Sequence, residues 1–261
     1  MNDADDDLDI DYCLAPAALP RLTTFYLLAW TAAAAVAFVP MRYQQEALRS
    51  SPSVEVSLTA TDLTSVVSGI SSGGYLFVLA LLLIWRRQGY FIRIEPGHYL
   101  AIQGAVAWCL SAMNWLQMSM TQQPAEVAAM TAVGAMFAPA VGMPFFFFYL
   151  FYRSDDTRNW RLAYIAMAIS PFVMMAAAMI FVFTMMARGR SPGDAMSFFA
   201  LSQLAGAAVM ALGIMGAMVD DWRQRRERHW THWLAAGLTL AGILASGAMM
   251  FGLWLAPPAH P

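Results

Sequence analysis

Four histidines, two cysteines and not a single lysine are what this chain brings to metal and nucleophile chemistry. Without a lysine amine there is no Schiff base to retinal or pyridoxal phosphate, and no Ser–Lys dyad. His229 and His232 are three apart, a spacing that sets both on one side of a helix turn. With His98, and with Glu95 or the Asp220–Asp221 pair, they make a nominal zinc-ligand set. No His-Glu-x-x-His signature accompanies them. Histidines among Trp and Arg at the edge of an apolar run read first as lipid-facing anchors, so neither a metal nor a cofactor is expected.

Gly69-Ile70-Ser71-Ser72-Gly73 has the letters of the hydrolase nucleophile motif. That motif needs a strand-to-helix turn and a His base. Here the only histidine on the same predicted side is His260, so the better reading is close helix approach. Ser65, Gly69 and Gly73 recur every four residues, and Gly134, Ala138 and Gly142 repeat the small-xxx-small pattern. Cys13 and Cys109 lie in unlike settings, an acidic stretch and an apolar one, which argues against a disulfide. Methionines at 113, 118, 120, 174, 175 and 179 suit Cu(I) by softness. As flexible packing residues they need no metal. An enzyme is the less favoured class.

Gln103, Asn114 and Gln117 are 11 and 14 residues apart. At 100° per residue they fall within about 60° of one another on a helix. Such a stripe either bonds neighbouring helices or lines a path for an uncharged solute, with Gln203 as a partner in both cases. The bonding reading takes precedence.

The elements that must position these residues are long apolar runs at about 22–39, 64–85, 99–119, 127–152, 160–187, 195–219 and 232–256. Hydrophobic residues make up 59% of the chain and charged ones 12%, about half the usual share, which argues against a soluble enzyme or nucleic-acid binder. Each run is long enough to cross roughly 30 Å of hydrocarbon as a helix. None alternates as the strands of a membrane barrel do. The expected fold is therefore all-α, a polytopic transmembrane bundle of seven spans (residues 22–256). A disordered acidic tail (1–21) precedes it and a short tail (257–261) follows. Val54–Thr59 alternates as a short strand or interfacial segment would, and Thr61 or Asp62 is the expected cap of the second span.

Arginine sets the orientation. Eleven arginines flank the ends of the runs on the side of Arg21, Arg93 and Arg228, and four (Arg42, Arg49, Arg188, Arg190) lie on the other. The positive-inside rule puts the N-terminus in the cytoplasm and the C-terminus outside. Trp85, Trp160, Trp222, Trp230 and Trp233 fall at the arginine-rich boundary and are expected as interfacial anchors. The aromatic run Phe145–Tyr152 is expected to face lipid. No ionisable group sits near the middle of a run, which argues against a proton relay, a redox pump or mid-membrane haem.

These features favour a non-catalytic membrane scaffold or accessory subunit, partnered by lipid and by another protein or a second copy. The alternative is a passive permease for a neutral or amphiphilic solute. A bacterial inner membrane is the expected location, and no nucleic-acid partner is expected.

Overall fold

The computed structural model describes residues 21–49, 58–90, 93–121, 142–154, 156–188 and 192–255. Among them the chain forms seven helices and no strand. These are α1 (Thr24–Arg49), α2 (Leu58–Arg87), α3 (Pro96–Thr121), α4 (142–153), α5 (Arg158–Arg188), α6 (Pro192–Arg223) and α7 (Trp230–Leu255). The all-helical expectation holds. The acidic segment through residue 20, Val54–Ser57, Gly134, Ala138 and residues 256–261 lie outside the described residues.

Two helices start or end differently from expectation. α1 runs through Pro40 to Arg49 and is 26 residues long. α2 begins at Leu58, so Thr61 and Asp62 lie inside it and not at its start, and Leu58–Thr59 is helical. Stretches of 23 residues in α2 (Ser65–Arg87) and 24 in α6 (Ala200–Arg223) are long and apolar enough to cross a membrane.

Consecutive helices run up and down. Tyr26 near the start of α1 meets Trp85 at the end of α2 edge-on and lies beside Trp230 at the start of α7. Trp160 at the start of α5 joins Asp221 at the end of α6 and the His232 ring of α7. One end of the bundle therefore gathers the first turns of α1, α3, α5 and α7 with the last turns of α2 and α6. It is the arginine-rich end. Here Phe147, Leu150, Trp160, Tyr164, Met167 and Ile214 form the largest buried cluster.

α1 packs closely on α2 because α2 presents glycine there. A Cβ at Gly73 would lie 2.2 Å from the Ala34 Cα, and one at Gly69 2.8 Å from the Phe38 ring. At Gly142 a Cβ would meet nothing within 4 Å among the described residues.

α2 and α6 end in the same turn. Gly89 N–H donates to Arg86 O and Tyr90 N–H to Trp85 O, and Arg225 and Arg226 donate likewise to Trp222 O and Asp221 O. Such a turn needs a left-handed residue, usually glycine. Gly89 supplies it at φ 83°, but in α6 the residue is Arg225 at φ 50°. A Cβ there costs about 1 kcal/mol. Arg225→Gly is therefore expected to raise the thermal midpoint by roughly 2–4 °C, checked by intrinsic-fluorescence melting. An unchanged or lower midpoint would show that the Arg225 side chain makes up the difference.

Candidate functional site

Six helices, α2 to α7, surround a cavity of about 580 Å³. Its size is that of a small-molecule pocket. It exists because residues at the facing positions are small: Gly104 and Ala107 on α3, Ala207 on α6, and Gly242 and Gly247 on α7 all line it. Among the described residues no charged one does. Pro171 of α5 adds a helix turn without its hydrogen bond to the Met167 carbonyl, and both residues are in the wall.

The polar part of the wall is amide and hydroxyl. Gln103 of α3 and Gln203 of α6 both line the cavity, with Ser68, Ser72, Ser111 and Ser246. The Gln103 amide donates to the Met143 sulfur at 2.9 Å. Tyr75 donates its hydroxyl to Thr239 Oγ1 (3.1 Å), which donates in turn to the Ala235 carbonyl (2.9 Å). Ser71 gives its hydroxyl to the Leu238 carbonyl at 3.2 Å, tying α2 to α7. That bond, and the helical backbone around Ser71, leave the Gly-x-Ser-x-Gly letters with a structural part only.

Below the cavity, at the arginine-rich end, the first turns of α3 and α7 cap one another. Glu95 is the N-cap of α3, followed by Pro96, whose missing N–H is not needed at the first helical position. The Glu95 N–H donates to His98 Nδ1 at 3.0 Å, histidine taking the part of Glu in a capping box. His98 Nε2–H crosses to Thr231 Oγ1 of α7 at 2.7 Å. Thr231 passes its own hydroxyl proton to His229 Nδ1, also 2.7 Å. In the other direction Gly97 N–H donates to His232 Nδ1 at 2.9 Å, and the His229 N–H donates to the Glu95 carboxylate at 3.1 and 3.3 Å. Each helix start thus supplies acceptors for the other's orphan N–H groups. Gly97 is required for this approach, since a Cβ there would lie 2.2 Å from the His232 carbonyl oxygen.

Asp221 locks the clasp to α5 and α6. Its Oδ2 accepts from the Trp160 indole at 2.7 Å and from Arg228 Nε at 3.0 Å, and its Oδ1 from Arg228 Nη2 at 3.2 Å. A carboxylate near a helix C-terminus opposes the helix dipole, and the Arg228 fork offsets this. His232 Nε2 is fully buried, makes no hydrogen bond among the described residues, and lies 3.8 Å from Asp221 Oδ2. Burial pushes the Glu95 carboxyl up to about 7, against the pull of the His229 N–H and Arg228. Burial, with the neighbouring imidazoles and Arg228, holds His98 down at about 3.

His98, His229 and His232 do converge, with Glu95 and Asp221 among them, but as helix caps. A metal-bound imidazole offers one lone pair to the ion and donates its other N–H. In all three rings Nδ1 already accepts, so the proton sits on Nε2 and neither nitrogen is open to a metal. Among the described residues no group of three or more His, Cys, Asp or Glu is arranged to hold an ion. His98 and His232 are also wholly buried, which corrects their expected place as lipid-facing anchors. The same correction applies to Trp85 and Trp160, at 1% and 0% exposed, because His229 and Asp221 give them partners indoors. Trp222 faces outward. Phe147 of the aromatic run is core, stacked on Tyr164, whereas Phe145, Tyr149 and Tyr152 are exposed.

Of the polar stripe, Gln103 and Gln203 line the cavity; the side chains of Asn114 and Gln117 lie outside the described residues. Met113 and Met179 are exposed; the methionines of the wall are Met143, Met167, Met210 and Met250. The cavity's serines and its pairing of Gln103 with Met143 had no sequence signal, because helices far apart in the chain supply them. No protein-family model matches the chain, and comparison with curated proteins and with solved structures finds no match.

Proposed function

We propose that this chain is a seven-span membrane protein that binds an uncharged amphiphilic small molecule in its central cavity and passes it across the bilayer as a passive permease. The observation that carries the reading is the chamber of about 580 Å³ whose described wall has no charged residue and is largely apolar, with one glutamine from each of α3 and α6. Amides orient a neutral ligand, while methionine and aromatic side chains adapt to its apolar body. The membrane setting is supported by large apolar side chains turned outward along the bundle, among them Phe25, Leu28, Leu83, Phe183 and Leu212. A soluble monomer rarely shows so much contiguous apolar surface. Arginine asymmetry supports a cytoplasmic arginine-rich end, and the bacterial inner membrane is the location proposed with it.

The test uses the purified chain in proteoliposomes and nanodiscs with an uncharged naphthol as probe. Gln103→Leu combined with Gln203→Leu is expected to weaken probe binding at least tenfold, with the thermal midpoint unchanged, since two amide hydrogen bonds of about 1 kcal/mol each are lost. Equal binding and flux in the double variant would sink the permease reading. Native mass spectra of the same preparation report any stoichiometric protein partner or second copy. Such a partner on a chain that never takes up the probe is the result that the accessory-subunit reading requires.

A further inference from the structure

We propose that the α3–α7 clasp is an acid-released closure for the arginine-rich end of the chamber, a regulation that rests on the chamber reading above. The clasp stands directly beneath the cavity. Leu100, in the wall, is one helix turn beyond Gly97, and it belongs to the same buried cluster as Trp160, whose ring abuts His232.

Two imidazoles serve the clasp as Nδ1 acceptors, His232 across to α3 and His98 within the first turn of α3, and each can accept there only while neutral. His98 Nδ1 accepts from the Glu95 N–H and His232 Nδ1 from the Gly97 N–H, so each ring already carries its proton on Nε2. A second proton can enter only at Nδ1, where it would point at a backbone N–H. For His232 the bond between the helix starts must then break. For His98 the bond lost is the cap within α3, while its Nε2–H bond to Thr231 is not itself removed. Each imidazolium would also sit in the first turn of a helix, at the positive end of its dipole.

The charged and titratable groups facing the pair are Arg93 and Glu95 from the approach to α3, Asp221 from α6, Arg228 and His229 from the α6–α7 connection, and the other imidazole. Arg228 disfavours a second positive charge. Glu95, 4.0 Å from His232 Nδ1, and Asp221, 3.8 Å from its Nε2, favour one. Asp221, however, is already occupied by Arg228 and Trp160, and Glu95, raised to about 7, is itself protonated in acid. His98, held down at about 3, contributes closure that is complete above its ordinary value of 6.5 and is lost as pH falls below it. Glu95, raised to about 7, acts oppositely: its contribution is complete below 4.5 and is lost as pH rises towards 7. Two imidazoles oppose one carboxyl, so the net effect is release below about pH 6.

Hydrogen exchange on the full chain in nanodiscs, read by mass spectrometry and corrected for the intrinsic pH dependence of exchange, tests this. Between pH 7.5 and 5.0 the protection of residues 95–103 and 229–235 is expected to fall at least tenfold, while that of residues 24–34 in α1 holds. His98→Gln with His232→Asn keeps an acceptor at each place without a titrating ring, and is expected to flatten the profile. If that variant does not fold, the native profile decides. Constant or rising protection in acid overturns the closure, as does fraying of residues 95–98 with residues 100–103 still protected. An acid-released clasp in a protein that never binds the naphthol supports the closure and removes only the solute reading.

Discussion

Asp221→Ala is expected to destabilise the protein by about 3–5 kcal/mol, the range seen when one partner of a buried ion pair is removed. The Asp221 side chain is wholly buried, and that of Arg228 is 9% exposed. Truncation therefore strands a guanidinium that has little access to water, and leaves the Trp160 indole N–H without its acceptor. For a chain of this length that is a fall in thermal midpoint of roughly 10 °C. Asp221→Leu combined with Arg228→Met is expected to recover much of the loss, because both charges leave together and apolar volume replaces them. Thermal unfolding of the three proteins in one detergent checks both statements. A single variant within about 1 kcal/mol of the parent would show that Arg228 finds water at the rim, and that the ion pair is superficial.

The second large effect is expected at Gly73. Its missing Cβ is replaced by the backbone of α1, with Ala34 N at 2.4 Å and Ala33 C at 2.8 Å from the place a Cβ would take. Backbone cannot swing aside as a side chain can, so Gly73→Ala must push α1 away from α2. Over-packing of this kind costs about 1–3 kcal/mol, and here it acts along a whole helix interface. Gly216 is the internal control. It is also a helix-interior glycine, but among the described residues nothing lies within 4 Å of its would-be Cβ. Gly216→Ala is expected to be neutral, or stabilising by up to about 1 kcal/mol through helix propensity. If both substitutions were equally mild, α1 would have to pack more loosely on α2 than these distances allow.

Those two glycines mark how far local pattern carries. The four-residue spacing of Ser65, Gly69 and Gly73 on an apolar run already describes a narrow helix face, because 3.6 residues per turn stacks them. Gly142 belongs to a series with the same spacing, yet a Cβ there meets nothing within 4 Å among the described residues, so periodicity describes the face and not the neighbour. The histidines make the same point about polarity. Their position at the ends of apolar runs was legible, and so was their nearness to Glu95 and Asp221 in sequence. That His98 and Thr231 bond across 133 residues, and Gly97 and His232 across 135, was not. Anchor and cap have the same local signature, a polar aromatic ring at the edge of an apolar run. Only the partner on another helix separates them, and Trp85 and Trp160 were misplaced for that reason.

The sequence by itself determined the all-helical architecture. Long apolar runs without alternation can satisfy their backbone groups only within themselves. It also determined the chemistries foreclosed by the lack of lysine, and the arginine-rich end, since charge is a property of composition and position. Only the tertiary structure decided that six helices stand apart around a chamber, that Gln103 and Gln203 share its wall, and that two helix starts cap each other beneath it. Cavities and reciprocal caps arise between segments remote in the chain. They depend on helix separations of a few ångströms, which side-chain volumes at many positions set jointly and no single stretch of sequence encodes.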